Sequence, residues 1–221
     1  VSGLALIFRR ELALSWAGGG GPFLALGFYI AMASLLPLAL GADPARMASV
    51  APGFAWLVLA LASLLSLERM FERDFEDGAL DLIALGPAPL EMTALAKGLA
   101  QWIAIAAPLA LLAPLIVTAL GAPVRLAPIV VICGLVGGLS FCFLGGVGAA
   151  LSLGSRRGGV LIALIVLPLF TPPVIFGAGA IEAFGVGLDW RTPLLLLSAY
   201  SLAAAALCPF AMAAAARNAI S

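Results

Sequence analysis

The sequence predicts an all-α integral membrane protein with six transmembrane helices in a single domain, residues 1–221, and three observations lead there. Hydrophobic residues make up 64% of the chain and charged residues 10%, with a mean hydropathy of +1.20, whereas soluble domains carry about 25% charged residues. Runs without any charge cover Leu12–Ala42, Met47–Leu67, Gly98–Val124, Leu126–Ser155, Gly158–Ile181 and Thr192–Ala216. Each is long enough for a helix of about 20 residues to cross a hydrocarbon core of about 30 Å. No stretch alternates apolar and polar residues over about ten positions, as the strands of a membrane β-barrel do.

Charge placement orients these spans, because Lys and Arg in short loops stay on the cytoplasmic side. With the N-terminus inside, the inner segments hold Arg9, Arg10, Arg69, Arg73, Lys97, Arg156, Arg157 and Arg217, against Arg46, Arg125 and Arg191 outside. Both termini are therefore expected in the cytoplasm. The net charge of zero gives no sign of a nucleic-acid partner.

Ahead of the first span, Leu4, Phe8, Leu12 and Trp16 recur every fourth residue and would form one apolar stripe on a helix over residues 1–17. That pattern suits an interfacial helix, although Glu11 interrupts it, and an ordinary basic flank of the first span is the other reading. Gly18–Gly21 and Pro22 close the segment. Arg9-Arg10 before an apolar run has the outline of an export signal, but no small-residue cleavage site leads from it into a soluble domain.

Several chemistries lack their residues. The chain has no histidine, which removes Ser-His and Cys-His nucleophile pairs and the usual zinc and haem ligand. Lys97, the single lysine, is not preceded by the glycines of a phosphate-binding loop. Cys133, Cys142 and Cys208 show no metal or redox spacing and read as buried apolar side chains. No carboxylate or amine falls inside the expected spans, which weighs against an ion-coupled carrier.

Within the fourth span, Gly134, Gly138, Cys142, Gly146, Ala150 and Gly154 recur every fourth residue, a ridge of small side chains that lets another helix approach closely. Its partner could lie in this chain, in a second copy or in another subunit. In the fifth, Pro168, Pro172 and Pro173 remove backbone donors, so a break is expected near Thr171, with residues 174–185 as a re-entrant outer segment; a kinked continuous helix is the alternative.

The interruption between spans two and three, residues 68–97, holds ten of the 22 charged residues. At 100° per residue, Leu64, Leu67, Met70, Phe71 and Phe75 share one helix face, and Glu68, Glu72 and Glu76 the other, with Arg69 and Arg73 beside them. Arg69 with Glu72, and Arg73 with Glu76 or Asp77, are spaced for surface ion pairs. Gly78 suits a helix end, Ala79–Leu85 a short second helix, and Gly86, Pro87 and Pro89 its stop. Leu80, Leu82, Ile83 and Leu85 make that helix too apolar to sit free in water.

The stretch Leu67 to Lys97, the later Leu151-Ser-Leu-Gly-Ser-Arg-Arg-Gly-Gly-Val-Leu-Ile-Ala-Leu-Ile-Val-Leu-Pro-Leu169, and the segments Phe8-Arg-Arg-Glu-Leu12, Ala48-Ser-Val-Ala-Pro-Gly-Phe-Ala-Trp56 and Pro209-Phe-Ala211 resemble the haem exporter protein B family, the B subunits of the cytochrome c maturation system. The resemblance extends over essentially the full length. It implies an ABC-2-exporter-like permease subunit of an ATP-binding-cassette complex in the bacterial cytoplasmic (inner) membrane, itself non-catalytic. Two copies would pair with two copies of a separate ATPase subunit, which binds the ATP. A haem-handling membrane protein, a small single-span subunit and a periplasmic haem chaperone would complete the set, with haem handled by these partners and no cofactor bound directly.

ATP hydrolysis would then drive haem export or release of the haem-loaded chaperone. A chain without histidine or intramembrane charge offers no obvious axial ligand and no partner for haem propionates, which suits the second account. The positions matching the family's coupling helix are Asp77 to Leu85, on a stalk from Glu68 to Glu76. Leu80, Leu82 and Ile83 would seat in the ATPase groove, with Glu76, Asp77 and Asp81 at its rim and Gly78 at the turn. Ser155-Arg156-Arg157-Gly158 is a second contact candidate, or a basic flank held by anionic lipid. The rival is an ion-coupled secondary transporter of a small molecule, whose two three-helix halves would rock about a midplane site; here the halves are unequal.

Overall fold

The computed structural model describes residues 3–17, 21–41, 43–67, 69–154 and 158–220. Glu68, which opens the expected stalk, and residues 155–157 of the second contact candidate lie outside them. Among the described residues, ten α-helices follow one another: α1 (Gly3–Ala17), α2 (Gly21–Leu40), α3 (Pro44–Leu65), α4 (Arg69–Glu76), α5 (Ala79–Ala84), α6 (Leu90–Gln101), α7 (Ala107–Ala119), α8 (Ala127–Leu151), α9 (Gly158–Val186) and α10 (Arg191–Ile220). No strand occurs among the described residues. Among these residues, six helical stretches are long and apolar enough to cross a membrane: Gly21–Leu40, Pro44–Glu76, Leu90–Ala119, Val124–Leu151, Val166–Val186 and Arg191–Ile220.

The third stretch joins α6 to α7 through one π-helical turn, Trp102–Ala106, where the Ala107 N–H bonds back to the Trp102 carbonyl. Pro108 follows at once and has no N–H to offer the Ala104 carbonyl, so the ladder widens by one residue just before it.

α8 is the centre of the bundle and packs against α3, α7, α9 and α10. Its glycines are why neighbours come close: a Cβ on Gly134 would stand 2.7 Å from Ala110 Cβ, and one on Gly138 would stand 2.8 Å from Ala106 Cβ. A Cβ on Gly146 would collide with Met212. Cys142 and Ala150 are buried in the same ridge. The ridge therefore meets helices of its own chain. Beside it, Trp56 occupies a recess at Gly137 and Gly177, stacks 5.4 Å from Phe141, and donates its indole N–H to the Val174 carbonyl at 2.9 Å.

The break expected near Thr171 does not occur, since α9 runs unbroken from Gly158 to Val186 and takes in residues 174–185. Pro173 deprives the Leu169 carbonyl of its i+4 donor, and the Tyr200 hydroxyl of α10 donates to that oxygen at 2.9 Å. A helix in an apolar environment survives a proline when a neighbour satisfies the freed carbonyl.

Contacts sort the connections into two ends. At one, Arg125 donates to the Gly185 carbonyl at 3.0 Å, and Gly121 lies against Ala48 and Pro44. At the other, Gly154 lies against Phe75, and Arg217 pairs with Glu91 at 2.6 Å. This second end carries α1, α4 and α5.

Candidate functional site

At the second end, α3 stops at Leu65 with Ser66 as its cap, the Leu67 N–H bonds to the Leu64 carbonyl, and the Met70 N–H of α4 bonds to the Leu67 carbonyl. α4 follows its sequence pattern: Leu67, Met70 and Phe71 are buried, Phe75 packs on the core, and Glu72, Arg73 and Glu76 face outward. Gly78 then turns the chain with φ of +69°, a left-handed conformation that glycine adopts without penalty. α5 ends at Ala84, before Gly86, Pro87 and Pro89.

The expected docking face is smaller than the sequence suggests. Leu80 is 0% exposed inside the chain's own core, and Ile83 packs against that core. Leu82 and Leu85 are 73% and 86% exposed, with Glu76, Asp77 and Asp81 exposed around them. One side of α5 anchors it to the bundle while the other presents two leucines framed by acids. A six-residue helix cannot bury both faces in the same place.

Of the surface ion pairs expected along the stalk, that of Arg69 with Glu72 lies outside the described side chains, while Asp74 of α4 takes part in a buried arrangement. Among the described residues, no ion pair joins Arg73 to Glu76 or Asp77. Instead Arg10 donates from Nη1 to Glu11 Oε1 at 2.6 Å and from Nη2 to Asp74 Oδ1 at 2.7 Å. Lys97 Nζ donates to Glu11 Oε2 at 2.8 Å, to Asp74 Oδ2 at 2.5 Å and to the Met70 carbonyl at 3.0 Å. The four side chains form a closed, neutral ring in which every carboxylate oxygen has a cationic donor. The hydrogen bond to Asp74 holds the Arg10 guanidinium above its ordinary pKa.

Lys97, Asp74 and Glu11 are all buried, Arg10 is 42% exposed, and the ring ties α1 to α4 and α6. Charge placement alone assigns Lys97 to the inner segment between spans two and three. It is in fact a residue of the third span's helix, and Glu11 is the partner that its burial requires. The two signals for this were the single lysine and the carboxylate that broke the apolar stripe of α1.

Of that stripe, Leu12 packs on the core, while Trp16 is half exposed and meets the exposed Phe23 edge-on at 6.0 Å. Next to the ring, Gln101 Nε2 donates to Ser66 Oγ at 2.8 Å. A cavity of about 430 Å³ opens there, lined by Glu11, Ser15, Pro22, Ser66, Lys97 and Gln101, with Glu72, Arg73 and Glu76 also on its wall.

A multi-pass helical membrane protein whose charged end presents a short, leucine-tipped helix is the class these features define. Residues 3–219 match the CcmB protein family, and the chain belongs to that family. Heme exporter protein B of Paracoccus denitrificans (strain Pd 1222) is 44% identical over 208 residues, covering 94% of this chain and 95% of that protein. The protein of the same description from Rhodobacter capsulatus is 41% identical over 211 residues, covering 96% and 97%. For Escherichia coli (strain K12) the identity is 39% over 214 residues, covering 97% of each.

Proposed function

We propose that this chain is the membrane-spanning, non-catalytic subunit of an ATP-binding-cassette complex in c-type cytochrome biogenesis. In this reading it couples ATP hydrolysis by a separate ATPase subunit to haem export or to release of a haem-loaded periplasmic chaperone. The CcmB family match and the description of the relatives as heme exporters support the haem connection. The observation that carries the coupling step is α5: Leu82 and Leu85 are exposed at the tip of an element whose opposite face is locked into the core by Leu80.

Exposed leucines in water are costly, and covering them in an apolar groove recovers about 25 cal/mol per Å². Because Leu80 seats α5 in the bundle, a push on its tip passes into the stalk and the spans rather than bending a loose loop. In this reading the protein sits in the bacterial inner membrane with this end toward the cytoplasm, where ATP is available, and the excess of Lys and Arg on its segments supports that orientation. A second copy of the chain, the haem-handling membrane protein, the single-span subunit and the periplasmic chaperone are the further partners of this reading.

Haem is the cargo of the system and is held by the partners. Co-purification from membranes with the ATPase subunit tests the proposal: a stoichiometric ATPase lost on Leu82→Asp supports it. Isolation of the chain without any ATPase, together with uptake driven by an ion gradient, would favour the secondary transporter instead.

A further inference from the structure

We propose that the ring Arg10–Glu11–Lys97–Asp74 makes α1, α4 and α6 move as one body, so that displacement of α5 reaches the third span and α1 together. These four are positioning residues, and the inference rests on the coupling reading above. The ring joins positions 86 and 23 residues apart in sequence through Lys97. Both carboxylates bridge both cations, and Lys97 also holds the α4 backbone at the Met70 carbonyl. Opening any one contact would leave a buried charge short of a partner, so the three helices separate less readily than their flanks bend.

The flanks show where bending is easiest. On the second span, the helix is interrupted at Ser66 and Leu67, between α3 and α4. On the third, it widens into the π-helical turn at Trp102–Ala106, immediately after Gln101; such irregular turns mark hinges in long helices. Ser66 and Gln101 are hydrogen-bonded to each other, so the two irregularities stand at one level, across the bundle and just beyond the ring. The cavity beside them, bounded by Pro22 and Ile105, supplies space into which the joined helices can shift.

The test uses the whole complex in membranes. Arg10→Met combined with Glu11→Met removes one cation and one anion together, leaving the Lys97–Asp74 pair neutral while cutting α1 from the ring. The expected result is stoichiometric ATPase in the purified complex with c-type cytochrome formation reduced roughly tenfold. Arg46→Ala, which removes an exposed pair at the opposite end, should leave both unchanged.

In a second measurement, Ser15→Cys with Glu72→Cys places thiols on α1 and α4 at the cavity wall, and a bifunctional thiol reagent tethers them; the native cysteines are buried. One rigid body tolerates the tether, so cytochrome formation should stay at the untethered level. Normal cytochrome formation in the double methionine variant, or its loss on tethering, would overturn the proposal. Where the double variant yields no complex, the tether alone decides. Absence of the ATPase from the unmodified complex would instead remove the coupling reading itself.

Discussion

The Tyr200 hydroxyl donates at 2.9 Å to the Leu169 carbonyl, the oxygen that Pro173 leaves without its helical partner. Tyr200→Phe should therefore destabilise the protein by about 1 kcal/mol, the usual loss for a deprived carbonyl. Combining it with Pro173→Ala restores an N–H four residues along and should recover the loss. Thermal unfolding in detergent checks both, and equal stability of Tyr200→Phe and the unmodified protein would show that Leu169 has no need of the hydroxyl.

Leu82→Asp places a carboxylate on the exposed tip of α5. Insertion and folding should be unchanged, while ATPase association weakens by on the order of 2–5 kcal/mol as the charge is buried unpaired at the contact. Ile83→Asp should differ, lowering thermal stability because Ile83 packs on the core. Retained ATPase in pull-downs with Leu82→Asp would move the docking site elsewhere.

Gly138→Leu and Gly146→Leu add bulk where Ala106 and Met212 already touch the backbone of α8. Overpacking of this kind costs about 1–3 kcal/mol or more, read as reduced yield and melting temperature. Gly27→Leu, with nothing within 4 Å of its added Cβ, should be tolerated.

Reporter fusions at Asp43, Arg125 and Asp189 should report the outside, and fusions at Gly78, Arg156 and Ser221 the cytoplasm. The contacts that bring Arg125 to Gly185 and Gly121 to Pro44 place these connections at a common end. An exchange between the two sets would overturn the orientation.

Without its partners, the protein should show no Soret shift with haem that depends on Tyr29, Met32 or Tyr200. Tyr29 is 0% exposed and Tyr200 is engaged with Leu169, so neither is free to reach iron as an axial ligand. A stoichiometric shift abolished by replacing any of the three would show that this chain ligates haem itself.

Membrane class, the six spans and the α4–α5 insertion were all legible in the sequence. Each depends on local composition: a bilayer demands about 20 apolar residues in a row, and Gly78 and the Gly86-Pro87-Ala88-Pro89 run mark helix ends within a stretch too charged to be one span. The apolar face of α4 was equally visible, because helical periodicity is a property of the element alone.

What that face meets is not. Only the tertiary structure decided that Leu80 belongs to the core and Leu82 to the surface, and that α9 survives its three prolines with help from Tyr200. It also turned the glycine ridge of α8 toward Ala106, Ala110 and Met212, and gathered Arg10, Glu11, Asp74 and Lys97 into one ring. The physical reason is common to all four. Periodicity states which side chains leave a helix together, but the partner that satisfies a buried carbonyl or charge comes from another helix, across a sequence distance of 23 to 86 residues in these hydrogen bonds. Folding alone brings it there.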